Sequence, residues 1–305
     1  MAQAYKVDGI RSVDFGVTDL KAAERFYTEV WNLKPVAASK GSVYLRGTGY
    51  EHHILGVHQR NEGQLLRVNL SAPDEEAVNA IHDRVRKTNI RKVEQPGALD
   101  EPGGGYGFAF QDPEGRTVRD IANMAALSPE KDDVERPKKL SHCVLNAGTG
   151  QQESSVAFWC DALGTRVVDR TKAMTFVNLC ADHHSVAIVK GSGATLHHVA
   201  FEMPSIEGVM RGSGRLKDAG HPIEWGVGRH GPGNNVFAYF IGPEEMVIEY
   251  TAEVEQVDES YKVGGPDDWT WKSGRNDQWG INPGPTKRMI DAHNVRFAED
   301  IFHPA

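Results

Sequence analysis

His142, His198 and Glu249 are the residues of this chain whose types could form one chemical unit. Two imidazoles and a carboxylate on separate strands can fill one face of a metal ion and leave the other face open. That arrangement suits Fe(II), which must take up both a substrate and dioxygen. Taken singly, a histidine or glutamate in an apolar strand is more often a satisfied core residue than a ligand. Placement sets these three apart, because the sequence contains the same half twice. IRSVDFGV at 10–17 aligns with LSHCVLNA at 140–147, LLRVNLSAP from Leu65 with LHHVAFEMP from Leu196, and YGFAFQDPEGRTVRD from Tyr106 with VFAYFIGPEEMVIEY from Val236. His142 falls opposite Ser12, His198 opposite Arg67 and Glu249 opposite Arg119. One copy carries a ligand set and the other has been emptied. A buried Glu249 with no cation beside it would also be costly.

Three further residues surround this set: His184 in DHHSVAI, His230 in RHGPGNN and Tyr239 in FAYF. Tyr239 and Glu249 flank the IGPEE turn, so paired strands would let both face one cavity. His184 precedes an apolar strand, and imidazole is the side chain that gives and takes a proton near neutral pH. Alternation does not decide between His183 and His184 or between His197 and His198; the offset between the halves favours His184 and His198. His52, His53, His58, His82, His293 and His303 have no partners at ligand spacing and read as surface or core residues.

The elements that must position these residues fall into four modules, each a strand, an amphipathic helix and further short strands. IRSVDFGV opens the first, Asp19 starts a helix over LKAAERFYTEVWNL, and short strands follow. The second runs from LLRVNL through a helix in DEEAVNAIHDRVRKT to a hairpin at DPEG. The third and fourth repeat the order, with helices near SSVAFWCDAL and IEGVMRGSGRL. The reading is an α+β chain of two tandem domains with two βαβββ modules each: residues 1–127, a charged linker at 128–139, and a metal-binding domain at 140–305. The tail beyond Val254 carries Trp269, Trp271 and Trp279 and a helix near TKRMIDAHN, and is expected to close the domain rather than line a site. GALDEPGGGYG reads as a flexible loop without chemistry, and NAGTGQQ lacks the glycine spacing and lysine of a phosphate loop.

The 305 residues suffice for two domains, each able to bury its own core. A net charge of −8 supplies no basic field for nucleic acid. No apolar run is long enough to span a bilayer, and no signal peptide is visible, so a cytoplasmic protein is expected. Cys143, Cys160 and Cys180, odd in number and without CxxC spacing, read as reduced thiols.

LSHCVLN, DHHSVA, LHHVAFE and the run from His230 through Tyr239 and Pro243 to Glu249 resemble the two-domain (type I) extradiol catechol dioxygenases of the vicinal oxygen chelate superfamily. The resemblance covers nearly the whole chain and extends to DQWG in the tail. It implies the glyoxalase/bleomycin resistance/extradiol dioxygenase fold. It also implies His142, His198 and Glu249 as Fe(II) ligands, with His184 as acid/base, Tyr239 bonded to a substrate oxygen and His230 supporting it. Mn(II) accepts the same ligands, and family frequency alone makes iron the choice. The implied reaction inserts both atoms of O2 into a catechol beside its hydroxyls to give a muconic semialdehyde-type product, and a homo-oligomer is the family's habit. One departure is the turn Gly242-Pro243-Glu244-Glu245, which bears on turn geometry and not on the ligands. Two alternatives share the fold. A glyoxalase-type isomerase usually needs four protein ligands, and SVAIVK offers no carboxylate or amide for the fourth; a non-catalytic binder has no reason to keep the triad. Catechol, alkylcatechols, biphenyl-type diols and catecholic acids all remain open as substrates.

Overall fold

The structure is a computed structural model that describes residues 5–88, 90–131 and 133–304. Its four modules follow one another in the order strand, helix, three strands. The first comprises β1 (Gly9–Val17), α1 (Leu20–Arg25), β2 (Lys34–Ser39), β3 (Ser42–Arg46) and β4 (Leu55–Gln59), and the second β5 (Gln64–Ser71), α2 (Glu75–Lys87), β6 (Gly97–Ala98), β7 (Tyr106–Gln111) and β8 (Thr117–Ala122). The third comprises β9 (Lys139–Ala147), α3 (Gln152–Leu163), β10 (Arg166–Arg170), β11 (Met174–Asn178) and β12 (Val186–Lys190). The fourth has β13 (Thr195–Glu202), α4 (Ile206–Asp218), β14 (Trp225–Arg229), β15 (Val236–Ile241) and β16 (Val247–Ala252), and the tail adds α5 (Lys287–Ala292).

Each pair of modules forms one eight-stranded sheet, ordered β2-β3-β4-β1-β5-β8-β7-β6 in the first half and β10-β11-β12-β9-β13-β16-β15-β14 in the second. The two orders are the same once numbering is shifted, which is the repeat expected from sequence. Helix boundaries follow local chemistry. The side chains of Asp19, Asp74 and Ser205 accept from the backbone N–H groups of Ala22, Ala77 and Gly208 and so cap α1, α2 and α4. The helix expected over LKAAERFYTEVWNL departs from α geometry at Arg25 and widens to a π turn over Phe26–Val30. That turn delivers Trp31 to the second half, where its ring stacks on Tyr250 at 3.8 Å and the Tyr250 hydroxyl donates to the Trp31 carbonyl at 2.7 Å. The two halves therefore share one apolar core.

The span read as a linker lies along the first half: Thr48 and Gly49 N–H donate to the carbonyls of Pro137 and Lys138, both at 3.0 Å. Among the described residues no helix is long and apolar enough to cross a membrane. Cys143 is buried, Cys160 and Cys180 are partly so, and all three are free thiols.

On the face of β8 opposite Arg119, Asp120 is fully buried and accepts from no side chain. Burial, reinforced by Asp8, pushes its carboxyl up to about 7. The folded chain thus keeps a proton that the unfolded chain, with an ordinary value of 3.8, has already released, and this group weakens the fold as pH rises between those values. In urea melts the stability gained by Asp120→Asn should be smallest near pH 4, grow through this window and level off above pH 7 at up to about 4 kcal/mol. Parallel pH profiles for the two chains would contradict this.

Candidate metal centre and its cavity

Three adjacent strands at the middle of the second sheet carry the triad. Pairing places His142 on β9 opposite Ala200 of β13, which in turn lies beside Glu249 on β16, while His198 sits on β13 opposite Val144. A bulge between Leu196 and His198 re-aims β13. All three side chains are buried, and one ligand-type atom from each falls within 4.8 Å of the others. The imidazole Nε2 atoms of His142 and His198 lie 3.2 and 3.3 Å from the same oxygen, Glu249 Oε2, and Oε1 is buried without a partner. Burial alone would raise the Glu249 carboxyl, but His142 and His198 outweigh it and hold it well below the usual carboxylate range. Two converging imidazoles and an ionised carboxylate with an orphaned oxygen fit a divalent cation.

A cavity of about 350 Å³ opens over His142 and His198 of the triad. His184 lines it with its ring 4.5 Å from that of His142, and burial, reinforced by the surrounding imidazoles, holds it well below the ordinary histidine value. Tyr239 is paired in register with Glu249, and its hydroxyl lies 2.9 Å from His230 Nε2. Burial and the Glu249 carboxylate raise the Tyr239 phenol far above its normal range, so it keeps its proton; burial presses His230 down to about 4. All six predicted residues therefore meet at one place. The choice within the two histidine pairs separates them differently: His183 is turned away against Asp169, whereas His197 joins His198 in the cavity wall.

Two expectations are overturned here. The tail does more than close the domain, because Trp271, Asn276, Pro285, Met289 and Ile290 line the cavity. His293, read as a surface or core residue, stacks on His197 at 3.6 Å in the same wall. The tail reaches this position through contacts remote in sequence: Asn146 Nδ2 donates to the His293 carbonyl at 2.6 Å, and Val295 bridges to Leu196. A wider groove of about 820 Å³ between the halves, lined by Arg11, Glu51, Lys139 and Glu202, contains none of the triad.

The emptied copy is filled by ion pairs. Arg67, opposite His198 in the repeat, bonds Asp14 and Glu101, and Arg119, opposite Glu249, closes a bidentate pair on Glu101. Asn69 ties Ser12 to Asp14 at 2.9 and 2.7 Å. The loop expected to be flexible and without chemistry thus supplies Glu101, the anion that the two guanidiniums require. Beyond His293 the tail continues to this network, where the Phe302 carbonyl accepts from Arg67 Nη1 and the Phe302 ring packs under the same guanidinium.

The family model of the Glyoxalase/Bleomycin resistance protein/Dioxygenase superfamily matches residues 9–119 and 139–250. Metapyrocatechase 2 of Cupriavidus necator is 35% identical over 124 residues, a match that spans 40% of this chain and 38% of that relative. A manganese-dependent 2,3-dihydroxybiphenyl 1,2-dioxygenase of Geobacillus genomosp. 3 is 21% identical over 74% of this chain and 78% of its own length. Among solved structures, a Mn(II)-bound glyoxalase from Novosphingobium aromaticivorans superposes with a TM-score of 0.85 at 36% identity, covering 93% of this chain and 94% of that one. Homoprotocatechuate 2,3-dioxygenase from Brevibacterium fuscum superposes with a TM-score of 0.84 at 19% identity, covering 98% and 96%, a likeness of fold.

Proposed function

Since the chain belongs to the Glyoxalase/Bleomycin resistance protein/Dioxygenase superfamily, we propose that it is an extradiol dioxygenase that inserts both atoms of O2 into a catechol. Fe(II), or Mn(II) in its place, would be held by His142, His198 and Glu249. The observation that carries this reading is a triad on three rigid strands, open on one side to a cavity in which His184 and Tyr239 stand ready for a diol. When bound there, such an ion would supply a common redox-active partner for the diol and dioxygen. The protein groups manage protons and exclude water. His184, kept neutral by its surroundings, takes the proton of a substrate hydroxyl and later returns it to an oxygen of the opened product. Tyr239, kept as a phenol, bonds a substrate oxygen, and His230 fixes that phenol in place.

The wall also speaks to substrate class. The described lining residues include no Asp, Glu, Lys or Arg. A ring substituent bearing a carboxylate would be buried with no ionic partner, a costly arrangement, whereas an alkyl or aryl group would meet Phe176, Trp225, Met289 and Ile290. Catechols with uncharged apolar substituents are the substrates this cavity favours.

A metal-dependent isomerase is the second reading, favoured by the glyoxalase name of a 36% identical structure. Against it, the metal-type group among the described residues has three members, not four. His184→Phe tests the first reading: the variant should keep its metal and lose about a hundred to ten thousandfold in catechol-dependent oxygen uptake. Wild-type turnover in that variant would remove His184 from the scheme.

A further inference from the structure

Behind His184, away from the triad, the structure aligns three groups. His183 Nδ1 lies 3.0 Å from His184 Nδ1, and His183 Nε2 lies 2.8 Å from Asp169 Oδ2. Asp169 and His183 are both 0% exposed. The Asp169 carboxylate also accepts from the Tyr261 hydroxyl at 3.1 Å on Oδ2 and from the Gly264 N–H at 2.6 Å on Oδ1, both in the tail.

With both imidazoles neutral, these contacts set where the hydrogens sit. A carboxylate has none to give, so the hydrogen facing Asp169 belongs to His183 Nε2. A neutral His183 then has a bare Nδ1, and the hydrogen between the two rings must be carried by His184 Nδ1. A neutral imidazole has one N–H, which leaves His184 Nε2 with a lone pair for the cavity.

The duplicated half shows that the carboxylate is not needed to fold this loop. His52 and His53 occupy the positions of His183 and His184, and their Nδ1 atoms are again 3.0 Å apart. In register, however, the residue paired with Tyr44 on β3 is Ala37, where Asp169 is paired with Phe176 on β11. Paired imidazoles belong to the repeat; the carboxylate behind them occurs only in the half with the triad.

We propose that Asp169, acting through His183, is a positioning residue that holds His184 as the Nδ1–H tautomer and so makes Nε2 the acceptor of the substrate proton. The assignment of that proton rests on the ring-cleaving reading above. When the hydroxyl O–H breaks, the electron pair stays on the substrate oxygen and the proton moves to His184 Nε2. The imidazolium keeps its Nδ1–H on His183, with the Asp169 charge behind it to offset the new positive charge. The same proton is later returned, so no net proton leaves the relay.

Asp169→Asn should invert the arrangement. The amide oxygen stays with the Gly264 N–H and the amide NH2 faces His183 Nε2, which forces His183 to donate from Nδ1 and moves the His184 hydrogen to Nε2. Long-range 15N spectra of histidine-labelled, metal-free protein report the tautomer directly, with the His184 resonances identified by their loss in His184→Phe. The expected result is a bare Nε2 in the wild-type chain, a protonated Nε2 in Asp169→Asn, and a loss of about a hundredfold or more in kcat with KM and metal content unchanged. Tyr261→Phe, which loosens the tail but keeps the carboxylate, should retain tautomer and kcat. A wild-type His184 with its hydrogen on Nε2 overturns the proposal without any variant, as does an Asp169→Asn chain with unaltered tautomer and kcat. Failure of the wild-type holoenzyme to consume oxygen with any diol overturns instead the ring-cleaving reading and the proton-acceptor role with it.

Discussion

Glu249→Gln should abolish stoichiometric metal binding and leave less than about 1% of catechol-dependent oxygen uptake. The substitution keeps the shape of the side chain and removes its charge. In the wild-type chain the carboxylate is ionised, fully buried, and shares Oε2 with two imidazoles while Oε1 has no partner. That surplus of negative charge is what a divalent ion would neutralise. Loss of residues that merely orient ligands costs about ten to a hundredfold in metal affinity, so loss of the anionic ligand itself should cost more. Thermal melts separate this from a packing defect. Adding metal should raise the wild-type melting temperature by mass action and leave the Glu249→Gln chain unchanged, while the two metal-free chains melt within a few degrees of each other. A variant that still gains stability from metal would show that Glu249 is not a ligand.

Glu101→Gln should have the largest effect on stability and almost none on the metal. Glu101 is 8% exposed at its side chain and answers two guanidiniums, those of Arg67 and Arg119, which are 1% and 3% exposed. Burial would raise its carboxyl, but Arg119 and Arg67 hold it below the ordinary value. Removing the charge leaves two buried cations sharing Asp14 alone. Breaking a buried ion pair from one side costs about 3–5 kcal/mol, a large part of the roughly 5–15 kcal/mol that holds a domain folded. Urea unfolding should shift to lower denaturant, with metal content of the remaining folded protein unchanged. Wild-type stability in Glu101→Gln would mean that the emptied copy is held by packing and not by these charges.

These two residues also mark what could and could not be seen in the chain itself. Glu249 was legible because the repeat gave it a register: a strand that alternates, a partner copy with arginine in the same place, and Tyr239 across a short turn. Strand alternation is periodic, and the duplicated halves doubled the signal, so the order of elements and the register of His142, His198 and Glu249 follow from spacing, whereas the grouping of His184, His230 and Tyr239 around them rests also on the family resemblance. Glu101 was not legible. It sits in a glycine-rich loop with no periodicity, and its role appears only when the loop folds back over β5 and β8 onto arginines distant in sequence. His293 was missed for the same reason, since the tail is irregular and its position depends on Asn146 and Leu196 from other strands. Alternation along a strand also failed to divide His183 from His184. Asp169, which does divide them, lies on β10, a strand in which a bulge interrupts the two-residue period.

On the proposed function, the triad and its cavity serve ring opening by dioxygen. The most direct test is the fate of 18O2 when the chain, reconstituted anaerobically with Fe(II), is given a 3-alkylcatechol, a carboxylate-bearing catechol and a thiohemiacetal. The expected result is one O2 consumed per alkylcatechol, both labelled atoms in a yellow ring-opened product, slower turnover of the charged catechol and none of the thiohemiacetal. Metal-loaded protein that isomerises the thiohemiacetal and consumes no oxygen with either diol would contradict it.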